Sequence, residues 1–299
     1  MSVSGPEGGS VESSSPMSGK TVLITGATSG MGHATAMALA KLGAAIIVHG
    51  RSEAKAKTVV DAIKEETGNP TIYYLLADFS KLEDVRHMAA EVKKNFQHLD
   101  VLVNNAGGVF AKHTLSPDGI EMTFQVNYLS HFLLTNLLLD LLRSSAPSRI
   151  ISISSGLHER GRIDFEDPNM NRKYNGNKSY ANSKLAQVMF TYDLAKRLEG
   201  TGVTVNAVNP GLVKTHLAYD SGGLMSFSKK FVDLFGKSAE KGADTAVYLA
   251  TSADVQSLSG KYFEDKKPEQ TSEISYDSST AARLWRISQE LTGLVSKGP

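Results

Sequence analysis

The sequence predicts an α/β fold: a single doubly wound parallel sheet with helices on both faces. Three observations predict it. Short runs rich in Val, Ile and Leu alternate with longer helical stretches from Lys20 to Leu291, the pattern of strand–helix–strand crossovers. The first such run passes through a cluster of glycines directly into a helix. Small and polar residues collect where the runs end, and in sheets of this kind ligands gather at the C-terminal ends of the strands.

The totals set bounds. A chain of 299 residues can bury a substantial core. Its 32 Lys and Arg nearly cancel 31 Asp and Glu, leaving a formal charge of +1. Neither a nucleic acid nor an anionic membrane surface is therefore expected as a partner. There are no cysteines, which excludes disulfides, thiolate zinc sites and cysteine nucleophiles and fits a cytoplasmic protein; no metal site is expected. No apolar run approaches the ~20 residues of a membrane span.

Residues 1–18 are rich in Ser and Gly and poor in large apolar side chains, so they are expected as a disordered arm. The arm lacks the apolar core of a signal peptide. One domain is expected over 19–292 and a flexible tail over 293–299.

The first strand, Thr21–Thr25, leads into Gly26-Ala27-Thr28-Ser29-Gly30-Met31-Gly32 and a helix to Leu42. Gly26 allows a tight turn, Gly30 lets backbone approach phosphates, and Gly32 permits close helix packing. The helix N-terminus, with Thr28, Ser29 and Met31 in the same loop, faces the anion. This is the Rossmann-type entrance for a dinucleotide. The second strand, Ala44–His49, ends at Gly50-Arg51-Ser52. NAD sites usually place an acidic residue here for the ribose 2′-hydroxyl, whereas Arg51 suits a 2′-phosphate. NADP(H) is expected over NAD(H).

A helix over Glu53–Glu66 and a strand over Thr71–Ala77 follow, ending at Asp78-Phe79-Ser80, where Asp78 is placed to meet the adenine. After a helix over Leu82–Phe96, the strand Leu99–Val103 runs into Asn104-Asn105-Ala106-Gly107-Gly108. Such small residues let backbone approach a ligand while amides brace neighbouring strands. One long helix is expected from Ser116 to Arg143, apolar on several sides. Within it, Asn127 either caps a local backbone gap or positions water and backbone near a site.

The strand Arg149–Ser154 presents Ser154 and Ser155, whose hydroxyls can donate to a carbonyl. A polar excursion over 156–178 leads to a helix reaching Leu198, which opens with Ser179, Tyr180 and Lys184. Residues four apart share a helix face. A phenol titrates near ~10, and an ammonium one turn away stabilises its phenolate. The same spacing recurs at Tyr174/Lys178, Tyr192/Lys196 and Tyr262/Lys266. Asn175-Gly176-Asn177 makes the first a loop; the second falls on a solvated or packing face; the third crosses a strand end into a charged turn. Only Tyr180 is expected at a helix entrance that opens onto a site.

The strand Gly202–Val208 ends at Asn209-Pro210-Gly211-Leu212-Val213-Lys214-Thr215. Residues 216–236 mix Gly222-Gly223 with apolar side chains, as either a mobile lid or a helix packed on the core. A helix over Ala239–Ala250, a strand over Lys261–Phe263 and a helix over Ser279–Leu291 complete the domain. The apolar stretches Phe124–Leu141 and Leu185–Leu194 either pair across the two-fold axis of a homodimer or are buried within one subunit.

Thr25-Gly26 to Gly32, Asn104 to Gly107, Asn127, Ile153-Ser154-Ser155, Tyr180 to Lys184 and Pro210-Gly211 follow one another in an order that resembles the short-chain dehydrogenase/reductase family, over residues 19 to about 265. The long segment between Ser155 and Tyr180, the Ser183-Lys184-Leu185-Ala186 run and Arg51 resemble its retinol dehydrogenase and WW-domain oxidoreductase branch. The resemblance implies Tyr180 as general acid, with Lys184 lowering its pKa and holding the nicotinamide ribose. It implies that Ser155 polarises the carbonyl and that Asn127 holds a water linking Lys184 to solvent. Gly26 to Gly32, Arg51, Asp78, Phe79, Asn105, Ala106 and Gly107 would hold the nucleotide, and Pro210, Gly211, Val213 and Thr215 would line its nicotinamide end. The implied activity is NADP(H)-dependent interconversion of an apolar aldehyde or ketone and its alcohol. The polar arm stands where many retinol dehydrogenases carry a membrane anchor. A non-catalytic NADP-binding regulator on the same fold is the alternative, disfavoured by the intact set of Asn127, Ser155, Tyr180 and Lys184.

Overall fold

The computed structural model describes residues 15–213 and 236–294. Thr215 and nearly all of the expected lid or packed helix over 216–236 lie outside the described residues.

Among the described residues seven parallel strands form the sheet: β1 (Thr21–Ile24), β2 (Ala45–Gly50), β3 (Ile72–Leu76), β4 (Val101–Asn104), β5 (Ser148–Ile153), β6 (Val203–Asn209) and β7 (Lys261–Glu264). Their spatial order is β3-β2-β1-β4-β5-β6-β7, so the winding reverses between β1 and β4. Ligands of such sheets sit at that reversal. An unexpected eighth strand, β8 (Lys267–Glu269), pairs antiparallel with β7. Asp265 and Lys266 join the two with positive φ angles of 46° and 67°, the backbone hand that matches a hairpin's twist. The charged turn is as expected, but the strand that returns from it is not announced, because neither turn residue is the glycine usual in a hairpin.

Helices cover both faces, as predicted. On one side lie α1 (Gly30–Lys41), α2 (Glu53–Thr67) and, late in the chain, Ala239–Thr251. On the other lie α3 (Leu82–Asn95), the paired segments after β4 and β5, and the C-terminal helix Ser278–Thr292. Alternate residues of one strand serve opposite faces: Leu23 faces the second layer, while Val22 and Ile24 face the first. This is why the strands read as nearly continuous apolar runs.

The expected helix from Ser116 to Arg143 is broken into parts. Ser116 instead stabilises a turn, its hydroxyl accepting from the Asp118 and Ile120 N–H groups. Helical structure starts at α4 (Met122–Phe124), where the buried Glu121 carboxylate caps the Thr123 and Phe124 N–H groups. A π turn over Gln125–Leu129 then feeds α5 (Ser130–Ser144). π turns of this kind often mark functional sites.

The next helix, α6 (Gly176–Arg197), starts four residues before Tyr180, because Asn175 acts as its N-cap and accepts from the Lys178 N–H. The Asn175-Gly176-Asn177 run, expected as a loop, is thus a cap and the first helical turn. Tyr180 lies in the second turn. Numbering the later helices in order, α7 is Ala239–Thr251 and α8 is Ser278–Thr292. The apolar faces of α5 and α6 are buried within the chain: Trp285 of α8 stacks on Phe190 at 5.7 Å and meets Phe132 edge-on at 5.0 Å. Ordered packing begins inside the expected arm, for Met17 is buried and its N–H donates to the Leu42 carbonyl.

Candidate active site

At the reversal between β1 and β4 the chain segments approach too closely for side chains. A Cβ on Gly26 would lie 2.8 Å from Ala106 Cα, and one on Gly32 would lie 2.4 Å from the Gly26 carbonyl oxygen and 2.5 Å from Asn105 Nδ2. Gly26 and Gly30 also have positive φ angles of 64° and 54°, which glycine adopts without strain. Thr25 fastens the crevice: its hydroxyl accepts from the Asn105 and Ala106 N–H groups at 2.8 and 2.9 Å. Asn105 returns its amide to the Thr25 carbonyl at 2.8 Å.

The N-terminus of α1 is open to an anion. Ser29 makes no side-chain cap there and the first turn carries no acidic residue, whereas α2, α7 and α8 begin with capping side chains and α3 with Glu83 and Asp84. Unfilled N–H groups at a helix start favour a phosphate. Thr28 packs against the end of β2, where a Cβ on Gly50 would come within 2.4 Å of its methyl group. The exposed Arg51 follows immediately. Phosphate donors and a guanidinium thus border one crevice, and a dinucleotide fits the residues present. Two expected contacts differ: Met31 is buried in the core, and the Phe79 ring is buried between His49 and His131. Of these two residues, only the backbone remains to meet a ligand.

One sheet position over, β5 ends at Ser154 and Ser155. Ser154 is buried, its hydroxyl donating to the Lys184 carbonyl at 3.1 Å. The Ser155 hydroxyl stands near the Tyr180 phenol and favours its ionised form. Burial nevertheless pushes Tyr180 up to about 12, and Ser155 only partly opposes this. The net shift is upward because burial dominates, opposite in direction to the lowering expected from Lys184. The ammonium lies 5.4 Å from the Tyr180 ring centre and donates to the Ile153 carbonyl at 2.8 Å and to Gln187 Oε1 at 2.9 Å. Burial in turn holds Lys184 down to about 7.

Asn127 is fully buried in the π turn. Its carboxamide donates to the Gly108 carbonyl and the Ser183 hydroxyl, both at 3.0 Å, and accepts from the Gly108 N–H at 2.8 Å. Its backbone carbonyl accepts from Gln187 Nε2 and His131 Nδ1, each at 2.8 Å. Both amide hydrogens and the carbonyl are therefore already engaged. Asn127 and Lys184 are also joined directly through the Gln187 side chain. On the neighbouring strand, Gly211 has φ 75° and takes its N–H to Asn209 Oδ1 at 3.0 Å, while Val213 bridges to Lys237. Pro210, Gly211 and Val213 thus form a braced turn beside β5.

Several residues escaped the sequence reading. His131 donates from Nδ1 to the Asn127 carbonyl, so its Nε2 accepts from the Thr25 hydroxyl at 2.9 Å. His49 Nδ1 accepts from the Gly26 N–H at 3.1 Å while Nε2 donates to the Ala77 carbonyl at 3.1 Å. Burial drives His49 down to about 4 and His131 down to about 3. Glu121 receives the hydroxyls of Ser179 and Tyr174 and so ties α4 to the start of α6. The available signal was a polar residue within or next to an apolar run: His49 directly after Ile46–Val48, His131 beside Phe132-Leu133-Leu134, and Gln187 between Leu185-Ala186 and Val188-Met189.

The fold and site define a nucleotide-dependent oxidoreductase, and comparison with known proteins agrees. The profile of the short chain dehydrogenase family matches residues 20–222, and the chain belongs to that family, whose members use a nicotinamide cofactor on small-molecule substrates. Within it the chain falls in the retinol dehydrogenase-like branch. It is 44% identical to retinol dehydrogenase 14 of Mus musculus over 93% of this chain and 87% of that protein. It is 38% identical to retinol dehydrogenase 12 of Homo sapiens over 96% and 90%. Among solved structures, a Mycobacterium paratuberculosis protein superposes with a TM-score of 0.75 at 30% identity, covering 92% of this chain and 94% of that one. An Escherichia coli short chain dehydrogenase complexed with NADPH superposes with a TM-score of 0.66 at 26% identity, covering 85% and 99%. Among the described residues no helix is long and apolar enough to cross a membrane.

Proposed function

We propose that this oxidoreductase is NADP(H)-dependent and interconverts an apolar aldehyde or ketone and its alcohol, with Tyr180 as the proton donor and acceptor. The observation that carries the reading is the Tyr180 phenol beside Ser155 at the end of β5, with Lys184 buried one turn away. A bound nicotinamide supplies or accepts the hydride. As the carbonyl carbon gains that hydride, its oxygen keeps the electron pair of the broken π bond and takes the Tyr180 proton. The Ser155 hydroxyl donates to the same oxygen, and the Lys184 charge stabilises the phenolate left behind. Oxidation runs the same steps backwards.

The protonation states favour reduction. A phenol held up at about 12 carries its proton at neutral pH, and Lys184 at about 7 keeps its charge only below that value. Reduction is therefore expected to weaken as pH rises through 7, as the ammonium is lost. NADPH is favoured by Arg51 beside the open start of α1, and by the NADPH complex of the structural neighbour. An apolar substrate is favoured by exposed leucines just after two adjacent strands, Leu157 after β5 and Leu212 after β6, and by the retinol dehydrogenase relatives.

The test is loss of NADPH absorbance with aldehydes and ketones from short aliphatic to retinal-sized, repeated with NADH, with Tyr180→Phe and with Arg51→Ala. Turnover should rise with apolar length and fall at least ~100-fold in Tyr180→Phe, with NADPH binding retained. Arg51→Ala should weaken NADPH binding about tenfold or more while leaving NADH binding unchanged. Retained turnover in Tyr180→Phe would remove it from the mechanism. NADPH binding with no turnover of any carbonyl would favour a regulatory role.

A further inference from the structure

The side chain of Gln187 is buried, 2% exposed, between two elements that both belong to the site. It stands three residues after Lys184 on α6, so both side chains leave the same helix face. Its Oε1 accepts from Lys184 Nζ at 2.9 Å while its Nε2 donates to the Asn127 carbonyl at 2.8 Å. A carboxamide has distinct donor and acceptor ends, and this orientation is the only one that satisfies both partners: an ammonium has only protons to give and a carbonyl has none. We propose that Gln187 is a positioning residue that clamps the Lys184 ammonium to the π turn and thereby keeps it charged and aimed. The proposal rests on the reading of Lys184 as the charge behind Tyr180.

The physical case is one of local compensation. A lysine ammonium loses hydration when buried, and only acceptors within reach can replace it. Among the described residues Lys184 has two: the Ile153 carbonyl at 2.8 Å and Gln187. Hydrogen bonds to a charged group are about twice as strong as neutral ones. Removing Oε1 therefore removes one of two supports for the charged form. The titratable groups facing Lys184 are the Tyr180 phenol on its own helix and the His131 imidazole on α5. Both are neutral at pH 7, so neither supplies the negative charge that would make Gln187 redundant.

Anchoring of the far end matters as well. The Asn127 carbonyl is shared with His131 Nδ1, whose ring continues to Thr25 in the glycine crevice. Lys184 is thus joined by Gln187, Asn127, His131 and Thr25 to the backbone of Asn105 and Ala106. The clamp fixes the lysine relative to the crevice as well as relative to its own helix.

The test uses the full chain without added nucleotide, labelled with [13C]lysine, and follows the Lys184 13Cε shift against pH; Lys184→Met identifies the resonance. Gln187→Leu keeps the bulk and loses both hydrogen bonds, so the titration midpoint should fall by about one pH unit or more. Gln187→Glu keeps an acceptor, now charged, and should move the midpoint upward. The alkaline limb of carbonyl reduction should shift in the same two directions. A structural role alone would move both variants together. Unchanged midpoints in variants that melt like the parent, or a downward shift in both, would overturn the clamp. If Gln187→Leu does not fold, the upward shift in Gln187→Glu still decides. Because the titration needs no turnover, its failure is distinguishable from failure of the proposed activity, which Tyr180→Phe tests alone.

Discussion

Helix α6 carries two Tyr-x-x-x-Lys pairs of identical spacing, and their surroundings differ in nearly every respect. Tyr180 meets Ser155, and Lys184 is 3% exposed against a strand carbonyl and Gln187. Twelve residues on, the Tyr192 and Thr271 hydroxyls share a hydrogen bond at 2.8 Å and Tyr192 stacks on Tyr276 at 5.2 Å, while Lys196 stands exposed. Helical spacing puts tyrosine and lysine on one face in both pairs. What distinguishes them is the element that each stretch of the helix packs against. The first faces the end of β5 and the π turn; the second faces the loop before α8. A motif of two residues acquires chemistry from a third and fourth that the spacing does not mention.

The largest expected effect tests this directly. Lys184→Met should reduce carbonyl turnover ~100-fold or more, because the phenolate loses its charge partner. Lys196→Met should leave turnover within about twofold, as solvent already screens that charge. Steady-state kinetics on both variants with the preferred carbonyl check it. Comparable losses in the two variants would break the distinction.

Burial also tunes the histidines behind the glycine crevice, and a smaller effect follows from it. In the unfolded chain each titrates near 6.5, whereas folded His49 resists protonation until about 4 and His131 until about 3. Between those values the unfolded chain holds more protons, so stability falls as pH drops from about 6.5 and levels off below the folded values. The contribution of His49 is on the order of 3 kcal/mol. Urea midpoints at pH 7 and pH 4.5 should show the loss. His49→Gln, which can still accept from Gly26 and donate to Ala77, should show less of it. Equal acid loss in both proteins would mean that other groups govern it.

The same contrast explains what the sequence revealed. The crevice between β1 and β4 is built from backbone and steric clearance, so Gly26, Gly30 and Gly32 announce it locally, where a side chain would clash or strain the backbone. The strand and helix order followed from apolar periodicity, with β8 missed because Asp265 and Lys266 form a turn usually written with glycine. The start of the Asn127 helix was misread because Ser116-Pro117-Asp118 serves a turn equally well, and Glu121 supplies the cap that follows. The lowered pKa expected of Tyr180 failed for a different reason. Spacing predicted proximity to Lys184, but the phenol's burial, which raises its pKa, is set by the elements packed around it, and the ammonium is held by Ile153 and Gln187. Pairings across about 60 residues, such as Gln187 with Asn127, leave no periodic trace.

The smallest predicted effect concerns the second pair. Tyr192→Phe deletes one hydroxyl whose partner, Thr271, keeps a 2.6 Å contact with Ser275. No buried group is left without a partner, and the stack on Tyr276 uses the ring, which phenylalanine retains. The cost should therefore stay near ~1 kcal/mol, the usual worth of one neutral hydrogen bond. Turnover should not change. A chemical denaturation curve and one kinetic assay suffice for the comparison. A tenfold fall in turnover without loss of stability would place the second tyrosine in the chemistry, and burial of the lysine would no longer be what separates the two pairs.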